Sequence, residues 1–368
     1  MEELSPGAIA AIGGLAGGIA LGFAARWGRF CTLGAIEDAT LGGSRGRLSA
    51  WGLAIAVAMA GTFGLDQAGL IDLDRSFYLF SPTTMIATAF GAFLFGLGMS
   101  LVGTCGYGTL ARLGGGDLKS IVTFLSLAVV AYATMSGLTA YVRVWLFGLP
   151  QPLAEAAGFA HAASRTFGGE VHAWGYLSAA LIAAIALTSR DLRRERRYLV
   201  AGTVAGLAIA FGWFVTGYLA YDDFAPHRLE SYTFTGPPGD ALMYLMTATG
   251  ASLEFGVGAV AGVIIGACLT SIAQGYFRWE ACDDAREMRR QIFGGALMGF
   301  GGVTAVGCTV GQGMSAFSVL AWTAPVALAA MFCGAWLGLQ ILVRGSVRDL
   351  IAEIAYHLNP GPRERQDQ

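Results

Sequence analysis

The chain has 368 residues, of which 55% are hydrophobic and 13% charged, with a net charge of −2. A soluble domain of this length cannot bury so much apolar surface, so the composition points to a membrane and excludes an ordinary soluble fold. A single lysine, Lys119, and the slightly negative balance exclude broad phosphate contact with nucleic acid. The N-terminus, Met1-Glu2-Glu3-Leu4-Ser5-Pro6, lacks the basic start of a signal peptide, so the first apolar run, 7–25, is expected to stay as a helix. Runs near spanning length follow at 48–65, 83–103, 120–142, 174–189, 198–220, 255–275, 291–307 and 321–343. The expectation is an all-α polytopic membrane protein of about nine hydrophobic helices, a single transmembrane domain over 1–368. The polar connections near 143–173 and 221–240 are too short to fold alone.

Charge placement orients these helices. Arg26, Arg29, Arg45 and Arg47 follow the first run, and Arg190, Arg193, Arg194, Arg196 and Arg197 follow the fifth. Arg278, Arg286, Arg289 and Arg290 follow the seventh, and Arg344, Arg348, Arg363 and Arg365 the last. The connections between are acidic or mixed: Asp66, Asp72, Asp74 and Arg75, then Asp222, Asp223, Arg228, Glu230 and Asp240. By the positive-inside rule the arginine-rich loops are cytoplasmic, with the N-terminus outside and the C-terminus inside. The stretch 190–197 reads first as a topology determinant touching anionic lipid, and second as a docking patch for an acidic partner.

Two apolar stretches repeat one pattern around a lone cysteine. Gly91, Gly96 and Gly98 precede Cys105, and Gly108 follows it; Gly294, Gly299 and Gly301 precede Cys308, and Gly311 follows it. In both copies the glycines stand fourteen, nine and seven residues before the thiol and three after it. Most glycines in such a chain let membrane helices pack closely, but at this density they also break a helix and admit a ligand to the backbone. The Cys105 segment follows the acidic loop 66–82 and the Cys308 segment follows Arg289 and Arg290, so the two broken or re-entrant segments are expected to enter from opposite faces. That is an inverted repeat, with halves at 7–142 and 198–343 joined by 143–197.

Six cysteines are present. Cys268 and Cys333 read as small hydrophobes on packed helices, and Cys282 as incidental in a loop. Cys31 differs, because Arg26 and Arg29 precede it at a membrane edge. No CxxC pair or cysteine–histidine cluster has zinc spacing, and His161, His172, His227 and His357 are isolated, so neither a metal nor a cofactor is expected. Neutral thiols at a membrane midplane are weak, polarizable donors that would bind an anion without trapping it, as Lys or Arg would. Backbone N–H groups of broken helices add partial positive charge. Together these suggest passage of a small, soft anion containing sulfur or selenium, through several weak sites in series.

At this point the sequence resembles a known family. Arg29-Phe30-Cys31, the run Gly103-Thr104-Cys105-Gly106-Tyr107-Gly108 through Gly116, and Met298-Gly299-Phe300-Gly301 with Gly307-Cys308-Thr309-Val310-Gly311-Gln312-Gly313 look like motifs of the YeeE/YedE family of sulfur transporters. The resemblance runs from about residue 10 to 342. It implies a multi-pass inner-membrane protein, not an enzyme, that takes up thiosulfate through a helical hourglass. It implies a relay of three thiols, Cys31, Cys105 and Cys308, supported by Gly103, Gly106, Gly108, Gly307 and Gly311. It also implies a TusA-like cytosolic sulfur carrier as partner. Two other classes stay open: a membrane sulfurtransferase forming a cysteine persulfide, which needs an activated thiolate, and a scaffold subunit, which the complete pair of motifs weakens. Glu254 is an acid near a span; a helix-end position is the first reading and a proton carrier the second.

Overall fold

The computed structural model describes residues 5–80, 84–148, 156–222, 228–282 and 284–344. Asp223, His227, Arg348, His357, Arg363 and Arg365 lie outside them. The first half of the chain forms α1 (Pro6–Trp27), α2 (Thr32–Thr40), α3 (Gly46–Gln67), α4 (Met85–Val102), α5 (Gly106–Gly114) and α6 (Lys119–Ser136). Then come α7 (Leu138–Phe147), α8 (Phe159–Phe167), α9 (Val171–Thr188) and α10 (Arg190–Arg194). The second half holds α11 (Arg196–Phe214), α12 (Pro237–Thr247), α13 (Phe255–Ala273), α14 (Ala285–Thr304) and α15 (Thr323–Arg344). Single π-helical turns occupy Val215–Leu219 and Gly311–Ala316. The protein is an all-α polytopic membrane protein.

Among the described residues, eight helical stretches are long and apolar enough to cross a membrane: 6–40, 46–67, 85–114, 119–136, 171–188, 196–219, 255–273 and 323–344. The other expected run, 291–307, falls in α14, whose first turns carry Arg286, Glu287, Arg289 and Arg290. Asp284 caps that helix, accepting from the Glu287 N–H at 2.7 Å. The run expected at 120–142 is split at Gly137, an extended residue between α6 and α7.

Glycine seams decide which helices meet. In α1, Gly14, Gly18 and Gly22 lie one turn apart and face Phe255, Ala259 and Val263 of α13, so the two helices run in the same direction. A Cβ built on Gly18 would stand 2.6 Å from the Ala259 carbonyl oxygen. Backbones this close leave no room for a side chain, and van der Waals packing of this kind drives helix association in lipid. Parallel contacts of the same sort join α3 to α11 (Gly202 on Ala50, Gly206 on Ala54), α4 to α15 (Gly334 on Phe93, Gly338 on Ser100) and α6 to α14 (Gly295 on Thr123, Gly299 on Leu127). Every pair takes one helix from each half of the chain.

The centre is an antiparallel crossing of α4 and α14. A Cβ on Gly91 would lie 2.5 Å from the Gly301 oxygen, and one on Gly301 would lie 2.5 Å from the Gly91 oxygen. Gly98 and Gly294 oppose each other in the same way, at 2.6 and 2.9 Å. The glycine fourteen before one cysteine therefore meets the glycine seven before the other, twice. Exchanged parallel pairs around an antiparallel crossing are the geometry of an inverted repeat.

The arginine-rich loops collect at one end, here the basic end. Ser44 bonds Asp191 at 3.1 Å, and the backbones of Arg278 and Glu280 bond Gly115 and Gly116. At the opposite end Arg75 stacks on Tyr221 and Arg228 on Phe77, tying 72–80 to 220–236. Of the connecting helices, α9 lies antiparallel on α3, with Gly175 against Phe63 and Ala186 beside Gly52. Trp145, Leu138 and Tyr141 of α7 are exposed, as suits side chains facing lipid.

Candidate functional site

Cys31, Cys105 and Cys308 share one local build. Each follows, by two residues, a residue in the left-handed region: Arg29 (φ 51°), Gly103 (φ 83°) and Val306 (φ 61°). Only glycine adopts this conformation freely, so Arg29 and the β-branched Val306 carry strain of the kind found at functional sites. The reversal ends a long helix and starts a short helical element: Cys31 caps α2 and Cys105 caps α5, both nine residues long. Gly307, between Val306 and Cys308, has φ 153°, a value that also favours glycine.

The two buried thiols are held by backbone N–H groups. Gly108 donates to Cys105 Sγ at 3.4 Å, and Gly311 donates to Cys308 Sγ at 3.4 Å. The glycine shared three residues after each cysteine is thus a hydrogen-bond donor to it, and at Gly108 a Cβ would strike Thr104 Oγ1 at 2.0 Å. Phe234 adds an N–H to Cys308 Sγ at 3.2 Å. Hydroxyls approach too: Thr32 Oγ1 lies 3.9 Å from Cys105 Sγ, and Thr233 Oγ1 lies 3.9 Å from Cys308 Sγ. Cys105 is within electrostatic reach of both Cys31 and Cys308, which makes it the middle of the three. Gly106 sits against the Phe234 carbonyl, where a Cβ would stand 2.7 Å from the oxygen. The Gly103 carbonyl accepts from Arg112 Nη2 at 2.7 Å.

Two cavities open on opposite ends of this column. The basic-end vestibule, about 910 Å³, is lined by half-buried Cys31 together with eight basic and four acidic side chains, Arg26, Arg29, Arg47 and Arg112 among the former. Arg47 spans Gly34, next to Cys31 in space, and pairs with Asp38 at 3.1 Å. The opposite vestibule, about 660 Å³, reaches Thr233, Thr235 and Gly307 beside Cys308. It carries Arg143 and Arg228 against Glu230, Asp240 and Glu254. Glu254 stands at the N-terminal end of α13 and faces this cavity. Glu230 and Asp240 lie outside the eight spans; burial and the neighbouring carboxyls push Glu230 up to about 7 and Asp240 up to about 6, against the pull of Arg228.

The three thiols expected from the sequence are therefore brought together and the other three are not. Cys268 and Cys282 are half-buried, and neither lines the two vestibules. Cys333, expected as a small hydrophobe on a packed helix, lies on α15, which packs on α4, with its own side chain exposed. His161 and His172 bond Asp74 and Asp66 at the end away from Cys31, at 3.2 and 2.8 Å. Sequence reasoning missed Thr32, Thr233, Thr309 and Arg112 as site residues, and it named Glu254 at a helix end without joining it to Glu230 and Asp240. One signal was available for the first and third: a threonine adjoins each of the three cysteines, as Thr32, Thr104 and Thr309.

Comparison with known proteins gives the column its setting. Residues 27–337 match the family model described as sulphur transport. The chain is 27% identical over 347 residues to the thiosulfate transporter TsuA of Escherichia coli (strain K12), covering 88% of this chain and 92% of that protein. It is 26% identical over 339 residues to the thiosulfate transporter TsuA of Spirochaeta thermophila, covering 90% of this chain and 98% of that protein. A match across most of the chain, including all three thiol-bearing breaks, means that this protein belongs to the sulphur transport family, the YeeE/YedE family its motifs resemble.

Proposed function

We propose that this chain takes up thiosulfate, or a similar small anion with a terminal sulfur, across the inner membrane along Cys308, Cys105 and Cys31 in that order. The observation that carries the reading is the column itself: three thiols, each at the same backbone reversal, strung between vestibules on opposite ends. Two similar proteins named as thiosulfate transporters support the choice of anion. The halves 7–142 and 198–343 act as pseudo-repeats whose thiols meet near the midplane. By the positive-inside rule the basic end is cytoplasmic, which puts the N-terminus outside, the C-terminus inside, and the acidic vestibule at the entrance.

The chemistry follows from weak sites in series. A thiol donates a soft S–H to the terminal sulfur, while Gly108, Gly311 and Phe234 polarise each buried sulfur through N–H bonds. Among the described residues no lysine or arginine bonds either buried thiol, so the anion is not trapped between the vestibules. Arg26, Arg29 and Arg47 then draw it into the inner vestibule, where a TusA-like carrier receives it. Lipid covers the outer surface of the bundle.

The test is uptake of labelled thiosulfate by purified protein in proteoliposomes, with sulfate, sulfite and selenite as competitors. Saturable uptake that an excess of sulfate leaves untouched supports the reading. Uptake equal to that of protein-free vesicles contradicts it. A stable mass increase of one sulfur atom on Cys31, Cys105 or Cys308 after turnover would favour the sulfurtransferase instead.

A further inference from the structure

The thiols account for one end of such an anion and leave its oxygens without partners. Among the described residues, two buried hydroxyls in the column have no partner in good hydrogen-bonding geometry. Thr309 Oγ1 belongs to a fully buried residue directly after Cys308, and its one polar neighbour is the Cys105 thiol, a soft and poorly aligned acceptor that leaves the hydroxyl open to a better one. Thr235 Oγ1, on a residue 2% exposed, has no hydrogen-bond partner among the described residues, and Thr235 lines the vestibule that leads to Cys308. An orphaned buried hydroxyl costs stability and calls for an explanation; a ligand group that completes it is one. Most threonines of the spans avoid that cost by bonding their own helix, as Thr62, Thr270 and Thr304 do. Thr309 and Thr235 stand outside the α-helices and have no such carbonyl to bond.

We propose that Thr309 and Thr235 form the oxygen-binding half of the transport site, so that the protein selects anions carrying both a soft terminal sulfur and sulfonyl-type oxygens. The proposal rests on carriage of a thiosulfate-like anion and names how that anion is oriented. Thr235 takes an oxygen as the anion leaves the outer vestibule for Cys308. Thr309, between the two buried thiols, takes one as the sulfur end passes from Cys308 to Cys105. A hydroxyl suits this role because it gives a single neutral donor to a hard oxygen, where a thiol suits the sulfur. Anions with only one kind of end, hydrosulfide with no oxygen or sulfate with no soft sulfur, satisfy half the site.

Thr309→Val and Thr235→Val separate a binding role from a structural one, because each keeps the side chain's shape and removes only the hydroxyl. The expected result is a KM for labelled thiosulfate raised about tenfold or more, as for loss of a hydrogen bond to a charged group. The thermal midpoint of the detergent-purified protein should be unchanged or higher, since an orphaned polar atom has been removed. Thr309→Ser should retain most of the affinity, and inhibition of uptake by hydrosulfide should be the same in wild type and Thr309→Val. A wild-type KM in both valine variants would overturn the proposal, as would a lowered midpoint with unaltered KM, which marks the hydroxyls as structural. If wild-type protein carried no thiosulfate at all, the underlying reading would fall first.

Discussion

The two ends of the column stand on matching scaffolds but carry opposite chemistry. At the basic end the reversal after α1 presents Cys31, with Arg26, Arg29 and Arg47 around it. At the other end the chain after α11 runs through a π-helical turn to Thr233, Phe234 and Thr235, and no cysteine stands there. In place of the arginine surplus are Glu230, Asp240 and Glu254. The helix pairs that frame the two regions, α1 with α13 and α11 with α3, are related by the same exchange between halves. On the route we propose, symmetry supplies the midpoint at Cys105 and Cys308, and departures from symmetry supply the direction. On that route an anion meets hydroxyls and carboxyls on one side, a thiol and guanidinium groups on the other.

The largest effect is expected at the midpoint. Cys105→Ala and Cys308→Ala should each lower thiosulfate uptake on the order of 100-fold, the cost of removing a donor to a charged group from a site with no bulk water. Serine should rescue poorly, because a hydroxyl is a harder and more strongly hydrated partner for sulfur. Normal uptake in both alanine variants would remove the relay.

The symmetric frame is broken next by Gly301→Ala, whose Cβ would meet the Gly91 oxygen at 2.5 Å. Over-packing of this kind costs about 1–3 kcal/mol, so the thermal midpoint should fall clearly. Gly250→Ala, where the nearest atom is 4.0 Å away, is the control and should leave the midpoint where it is. Equal midpoints would mean that the α4–α14 crossing is looser than described.

A smaller effect is expected at the basic end. Cys31→Ala should reduce uptake about tenfold or less, since the arginines still attract the anion. Cys31 should also be the thiol of the column alkylated fastest by a charged, impermeant reagent added from the cytoplasmic side. Labelling from the periplasmic side alone would overturn the assignment of the basic end as the exit.

The smallest effect tests the entrance. Glu230, at about 7, and Asp240, at about 6, are protonated at pH 5.5 and ionised at pH 8, so two negative charges appear in the vestibule as pH rises. A dianion is then repelled, and the KM for thiosulfate should be severalfold higher at pH 8, roughly two- to fivefold in a partly solvated site. In Glu230→Gln the dependence should flatten. A KM that falls as pH rises would contradict the assignment of this end as the entrance.

Much of this was legible from residue types. Apolar runs located the spans, and the duplicated glycines located both buried thiols and their crossing, because a glycine required by a backbone contact leaves a fixed mark in sequence. The +3 glycine was visible as a repeat; its donation to the thiol needed coordinates. Arg29 was read as a charge, and its left-handed backbone escaped notice because only glycine or asparagine signals that conformation. Thr235 falls in a polar connection and Thr309 just past an apolar run, so nothing in their sequence setting marks them until the fold buries their hydroxyls. The acidic trio is scattered over 230–254 and becomes a cluster only when the fold brings Glu254 of α13 beside the loop. The exposure of Cys333 was not legible, because periodicity along an apolar helix does not say which face meets lipid.

The most direct test of the thiol column is diffraction from crystals soaked with selenosulfate, in which selenium replaces the terminal sulfur and is located by its anomalous signal. The account predicts selenium peaks beside the Cys105 and Cys308 thiols and in the vestibule at Cys31, with the oxygens of the central anion turned toward Thr309. Selenium bound elsewhere, with none along the three thiols in protein that still transports, would contradict it.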